Sequence, residues 1–200
     1  IMQDNAVIMQ VRLHSLNNSA NRKYFDVPNY ITLENYISSL IVFNNKRSQI
    51  VNINLEDVDD NLAKTMVKIF CKMIFDFSKS RKERAAIPFH LFIEEAHRYV
   101  VSDNDHFLLG YNIFERIAKE GRKYGVMLDL VSQRPVEISE TVIAQMSNFC
   151  ILKMTHPRDL EYINKMLPNI SGDIIEKLTS LQSGTMVAFG NAFKIPVIVK

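Results

Sequence analysis

Several things are scarce in this chain, and each scarcity narrows the possibilities. Of its 200 residues only two are cysteine, Cys71 and Cys150. No Cys-x-x-Cys pair exists, so neither a zinc site nor a disulfide framework is indicated. Both cysteines lie in apolar runs, IFCKMIF and NFCILKM, and are expected to be reduced, buried thiols. Such cysteine usage fits a cytoplasmic protein. The five histidines, at 14, 90, 97, 106 and 156, make no metal-ligand spacing. No apolar run approaches the ~20 residues that cross a bilayer, and no signal peptide is visible. A net charge of +2 implies no strongly basic surface. Any contact with a polyanion would need a local patch. There is no internal repeat and no low-complexity tract. Glycine is also rare: none of the six glycines (110, 121, 125, 172, 184, 190) precedes a lysine. The phosphate-loop pattern G-x-x-x-x-G-K-[ST] is therefore absent, and the chain as given cannot cradle nucleotide β- and γ-phosphates.

What is present suits one soluble domain, or a domain with a lobe: 47% apolar and 23% charged residues. Residues 1–48 are the least regular. NNSANRK (17–23) reads as a polar loop, and a helix is expected after Thr32 as its N-cap. From residue 49 a pattern emerges. QIVNINL (49–55) alternates and is β-branched, which predicts a strand. Residues 61–80 place Leu62, Met66, Ile69, Phe70, Met73, Ile74 and Phe77 on one helical face, after a cap at Asp59 or Asp60. A charged loop, SRKERAAIP (80–88), ends at Pro88 and reads as solvated rather than as a nucleic-acid patch.

A short strand follows at HLFIEEAHRY (90–99), then a helix at 111–125 stopping near Gly121 or Gly125, and a buried strand at 126–132. A helix capped by Ser139 is expected at 139–147, and a strand at 148–154. Helices at 157–167 and 172–181 precede a terminal hairpin from TMVAFGN and KIPVIVK. Alternating strands and helices predict an α/β fold with a mostly parallel sheet. Asp129, inside the apolar run VMLDLVS, requires a partner or an exposed edge.

The chemistry concentrates in FHLFIEEAH (89–97). A hydrophobic strand delivers Glu94 and Glu95 to its C-terminal end, where ligands of open α/β sheets bind. Adjacent carboxylates repel unless a cation or a reaction uses them. In a nucleotide site Glu94 would hold Mg2+ and Glu95 would activate the water attacking the γ-phosphate. The plain alternative is a strand running into an acidic helix start, which the helix dipole favours. A second strand ends in Ser132, Gln133 and Arg134. An amide such as Gln133 can contact both a phosphate and its attacking water. Arg122 and Arg116 are fixed cations suited to developing phosphate charge. For Arg122 the alternative is a solvated helix C-terminus. His97 either orients Glu95 or simply packs.

EEAHRY (94–99), EGRKYG (120–125), SQRP (132–135) and THPRD (155–159) occur in that order, and the closing segment is GTMVAFGNAFKIPVIVK. This ordered set resembles HerA-type ATPases of the HerA/FtsK superfamily over most of residues 49–200. The resemblance implies a RecA-like P-loop NTPase core, incomplete here, assembled as a homo-hexamer around DNA with ATP between subunits. It makes Glu94 the Walker B acid, a departure from the commoner Asp, and Glu95 the catalytic glutamate. It makes Arg122 the arginine finger reaching a neighbour's site, with Arg116 the competing candidate. Gln133 becomes the sensor, with Arg134 beside it in the nucleotide site. The missing strand, phosphate loop and helix are expected before Ile1, and these 200 residues alone are expected to show little or no ATPase activity. Residues 1–48 would form an insertion or lobe.

Implied partners are a NurA-like nuclease, in DNA processing, or a sirtuin-type NAD-consuming or nuclease effector, in antiphage defence. An Asn- and Lys-rich composition points toward the second. Two other readings share the motifs: a secretion- or conjugation-type motor, and a ring scaffold that assembles an effector with hydrolysis secondary.

Overall fold

A computed structural model describes residues 31–43, 46–47, 49–102, 111–166 and 172–200. The polar loop expected at 17–23 lies outside these residues, as does the expected helix end at Leu167. The chain divides into two compact units, residues 1–66 and 67–200.

In the first unit, helix α1 (Leu33–Ile41) begins where the sequence places it. The Thr32 hydroxyl accepts from the Asn35 backbone N–H at 3.2 Å, the N-cap geometry. Two short antiparallel strands follow, β1 (Val42–Phe43) and β2 (Lys46–Arg47). Residues 49–55 depart from expectation and form no strand. Ile50 is 88% exposed, and Val51 and Ile53 are also exposed. Alternation marks a segment that fits a pleated surface, but a strand also needs a neighbour's hydrogen bonds. Among the described residues this segment has no ladder partner. Helix α2 (Asp60–Ser80) then starts, capped by Asp59, whose Oδ1 accepts from the N–H groups of Asn61 and Leu62.

In the second unit, strand β3 (Phe89–Ile93) pairs in parallel with β4 (Val126–Leu130), from Phe89 opposite Val126 to Ile93 opposite Leu130. Between them runs α3 (Ile113–Glu120), capped by Asn112, whose side chain accepts from Phe114 and Glu115 N–H. Leu91 and Ile93 are buried, whereas His90 and Phe92, on the alternate face, are exposed, Phe92 by 65%. Strand β4, expected to be buried, is buried only at Val126 and half-buried from Met127 to Leu130. The exposure also settles Asp129: it shares that face and meets His90 Nδ1 at 2.7 Å. An acid inside an apolar strand is tolerated because its side is open and a cross-strand partner is present.

A short helix α4 (Glu140–Ile143) leads to β5 (Asn148–Leu152). Helices α5 (Pro157–Met166) and α6 (Gly172–Ser180) follow, then β6 (Met186–Gly190) and β7 (Val197–Val199). Ser139 occupies the N-cap position of α4 but makes no side-chain cap bond there. Its fully buried hydroxyl donates instead to Glu115 Oε1 at 2.9 Å, tying α4 to α3. The strand order β5-β6-β7 is antiparallel throughout, so the described strands form a mixed set and parallel pairing is confined to β3–β4. The terminal hairpin, β6–β7, is as the sequence predicts.

Two apolar groupings hold the second unit. Around α3, Phe75, Ile113, Phe114, Ile117 and Val126 are buried, with Phe75 edge-on to Tyr124 at 5.5 Å. Around β5 and β6, Ile151, Tyr162, Ile163, Leu178, Val187 and Phe189 close a second cluster. Cys71 is buried as expected, and burial pushes its thiol up to about 12. Cys150 departs from expectation and is exposed, because it lies on the open face of β5. Among the described residues no helix is long and apolar enough to cross a membrane.

Candidate nucleotide site

The backbone ladder of β3 and β4 continues past the last paired residues. Val131 N donates to Ile93 O at 3.0 Å, and Ala96 N donates to Val131 O at 2.9 Å. Glu94 and Glu95 sit in the turn between those two bonds. The turn is sharp because Ala96, fully buried, starts a 3-10 helix (Ala96–Arg98) directly after the strand. Glu95 accommodates it at φ 48 and ψ 43, the left-handed region that L-residues other than Gly, Asn and Asp seldom adopt. Such strain costs about 1–2 kcal/mol and concentrates at functional sites.

The side chains meet across the two strand ends. Gln133 Nε2 donates to Glu95 Oε1 at 3.1 Å. His97 Nδ1 lies 3.5 Å from Glu95 Oε2 and 3.0 Å from Ser132 Oγ. Ser132 Oγ in turn accepts from Arg134 N–H at 3.0 Å, which fixes the turn after β4. Both oxygens of Glu95 thus have a neighbour: an amide donor on one and an imidazole near the other. Glu94 is exposed, and its side chain makes no hydrogen bond or ion pair among the described residues. One strand end therefore offers an oriented carboxylate beside an open one.

The cations are placed elsewhere. Arg134 points away into its own turn, with Nη1 3.1 Å from Glu137 Oε1. The Arg116 guanidinium lies over the Tyr111 ring at 4.7 Å and the Phe75 ring at 5.4 Å, with Nε 3.9 Å from Glu120. Arg122 belongs to the 3-10 turn Gly121–Tyr124, which precedes β4. It sits at the strand end opposite Gln133, and the five residues of β4 between the two ends rise about 13 Å. Its side chain is exposed and has no ion pair or ring contact among the described residues.

The glycines of EGRKYG have a local cause. A Cβ at Gly121 would fall 2.2 Å from Val126 O, and Gly125 has φ +77 with Ala85 Cα 2.8 Å from where its Cβ would be. The turn must be tight on both sides, and it presents Arg122 and Lys123 outward.

The structure thus brings together Glu95 and Gln133, with Glu94 beside them, and leaves Arg116, Arg122 and Arg134 outside that cluster. Ser132 and His97 complete it. Their signal in the sequence was position: one ends the run before Gln133, the other follows the acid pair by two residues.

Comparison with known proteins gives a consistent set of relatives, although no protein-family model matches. The DNA double-strand break repair helicase HerA of Saccharolobus solfataricus is 35% identical over 175 residues, covering 86% of this chain and 35% of the relative. Its namesake from Sulfurisphaera tokodaii is 40% identical over 152 residues, covering 74% of this chain and 30% of that protein. The chain thus spans about a third of the length of the curated relatives it matches. Among solved structures, the genome packaging NTPase B204 of Sulfolobus turreted icosahedral virus 2 superimposes with a TM-score of 0.57 at 18% identity. That match covers 86% of this chain and 72% of that one. VirB4 of Thermoanaerobacter pseudethanolicus gives a TM-score of 0.54 at 15% identity, over 78% of this chain and 43% of that one. The expected fold, that of P-loop NTPases, is confirmed by these superpositions. Most of the chain is thus similar, at 30–40% identity, to about a third of the length of HerA-type helicases.

Proposed function

We propose that this chain carries the acid and sensor elements of an ATP-driven DNA-translocating motor subunit, with residues 49–200 forming part of its RecA-like core. The supporting observation is the Glu95–Gln133 hydrogen bond at the shared end of β3 and β4, beside the open carboxylate of Glu94. The DNA repair helicases it resembles supply the substrate class.

The described residues fit the hydrolytic half of such a site. Magnesium commonly uses one or two carboxylates, with water and substrate phosphates as its other ligands. An exposed carboxylate without protein partners, as at Glu94, suits that donor set. A bound magnesium ion would neutralise charge building on the transferred phosphate. Glu95 takes the proton of the attacking water, and Gln133 and His97 hold its carboxylate in orientation. Once a water or phosphate enters, the Gln133 amide has both a donor and an acceptor to offer it. Phosphate cradling must come from residues outside this sequence, which has no G-x-x-x-x-G-K-[ST].

Arg122, far from this copy's own acids and unpaired, serves the site of a neighbouring copy, in a ring read as hexameric. Arg116 is the less suited candidate, since two aromatic rings and Glu120 already engage it. Arg134 acts at the rim of the nucleotide site, if released from Glu137. A NurA-like nuclease or a sirtuin-type or nuclease effector is the partner class, in the cytoplasm.

The test is ATP hydrolysis by the full-length protein with and without double-stranded DNA, comparing wild type with Glu95→Gln. DNA-stimulated turnover that falls at least about a hundredfold in the variant is expected. Turnover indifferent to the substitution would sink the assignment and favour a ring scaffold.

A further inference from the structure

The end of β3–β4 opposite the acids is also built with care. The loop at 81–88 and the turn Gly121–Tyr124 are locked together there. Phe89 N donates to Gly125 O at 2.7 Å, and Ala85 packs where a Gly125 side chain would be. Ala85 itself takes φ 56 and is, with Glu95 at the other end of the strands, one of two left-handed non-glycine residues among those described. The strained contact fixes which residues flank the Tyr124 ring. The Arg84 guanidinium lies 5.8 Å from its centroid, and Lys123 Nζ also lies 5.8 Å from it. Arg122 adjoins them. Arg84, Arg122 and Lys123 are thus gathered at one strand end, all exposed, with exposed Lys82 and the exposed acids Glu83 and Glu120 close to them in the sequence.

The manner of holding Arg84 is informative. An ion pair would consume its N–H donors. A ring contact restrains the guanidinium through its π-face and leaves the in-plane donors free for a bidentate acceptor. Two arginines with free donors, one restrained by a ring, at a strained junction describe a receptor for phosphate oxygens. The acid end of the same strands lies at the opposite edge, so the phosphates are not those of this copy's own site.

We propose that Arg84 is a second trans-acting cation, which with Arg122 grips the polyphosphate chain of a nucleotide held by a neighbouring copy. This rests on the motor reading above.

The test mixes full-length variants. Arg84→Ala alone is expected to lower ATP turnover by about tenfold or more, with its thermal midpoint and its affinity for double-stranded DNA unchanged. Mixed with Glu95→Gln, it should regain part of the lost turnover. Mixed rings contain junctions with an intact Glu95 from one copy and an intact Arg84 from the other. A defect confined to the variant's own site would give no such rescue. Arg84→Lys keeps a cation over the ring but loses the planar fork. It should recover less than half of the lost turnover if Arg84 grips phosphate, and nearly all of it if Arg84 only packs on Tyr124. Full turnover in Arg84→Ala, or a loss that mixing does not restore while Arg122→Ala is restored, overturns this proposal alone. A loss of DNA affinity with turnover recovered at saturating DNA also overturns it, and assigns the patch to the DNA backbone. Equal turnover in wild type and Glu95→Gln instead overturns the motor reading, and this proposal with it.

Discussion

Replacing Glu95 by glycine should stabilise the fold relative to replacing it by alanine, the reverse of the usual order in regular structure. The reasoning rests on φ 48 and ψ 43. An L-residue held there loses about 1–2 kcal/mol to contact between its Cβ and the following carbonyl. Glycine escapes that cost but gives back about 0.5–1 kcal/mol in unfolded-chain entropy. The difference favours glycine by about 1 kcal/mol. Both variants lose the same Gln133 bond and the same approach of His97, so those losses cancel between them. For a chain of this size the gap corresponds to about 2–4 °C in unfolding midpoint. Urea and thermal unfolding of the two variants measure it directly. Glu95→Ala equal to or more stable than Glu95→Gly would refute the strain argument, and with it the idea that the acid is held in place at a cost. Neither variant should hydrolyse ATP, which separates the backbone effect from the chemistry.

Gly125→Ala should destabilise by about 2 kcal/mol or more, since its φ of +77 and the Ala85 Cα both oppose a side chain; denaturant titration reads this. Ser139→Ala removes a buried hydroxyl bonded to Glu115 and should cost about 1–2 kcal/mol by the same assay. A maleimide reagent at pH 8 should label Cys150 alone, because Cys71 is buried and its thiol stands at about 12. Rapid labelling of both in native protein would contradict the burial of α2. The raised Cys71 value also has a stability consequence. Above pH 9 the unfolded thiol ionises while the folded one does not, so unfolding releases a proton. Its contribution is complete below pH 9 and declines as pH rises toward about 12.

What was legible in the sequence followed from local rules. Helix α2 and its Asp59 cap, the end of α3 at paired glycines, and the closing hairpin all rest on short-range patterning. Glu95 and Gln133 were legible as a pair because two apolar strands ended in polar residues, and parallel neighbours end together. Long-range facts were not. The partner of Asp129 is His90, 39 residues away, and nothing in VMLDLVS names it. Residues 49–55 carry a strand pattern but cannot supply a neighbouring strand. Ser139 looked like a cap because of its position, but its hydroxyl met a closer acceptor in Glu115. Cys150 looked buried because its neighbours are apolar, yet every second residue of a strand faces the other way. The left-handed turns at Glu95 and Ala85 had no signal at all, since neither residue type advertises a positive φ.

Strand β4 has one more consequence. It carries Gln133 at one tip and the Arg122 turn at the other, and five ladder pairs with β3 make it stiff. In a head-to-tail ring it would act as a push-rod between consecutive sites. A small shift of the amide when phosphate leaves one site would pass along that ladder, and through the short turns at its two ends, to the cations serving the next. Firing order around the ring would then be a mechanical property of one short strand. Lengthening the turn between Tyr124 and Val126 by a single residue should desynchronise turnover while leaving each site chemically intact, visible as lost cooperativity in ATP.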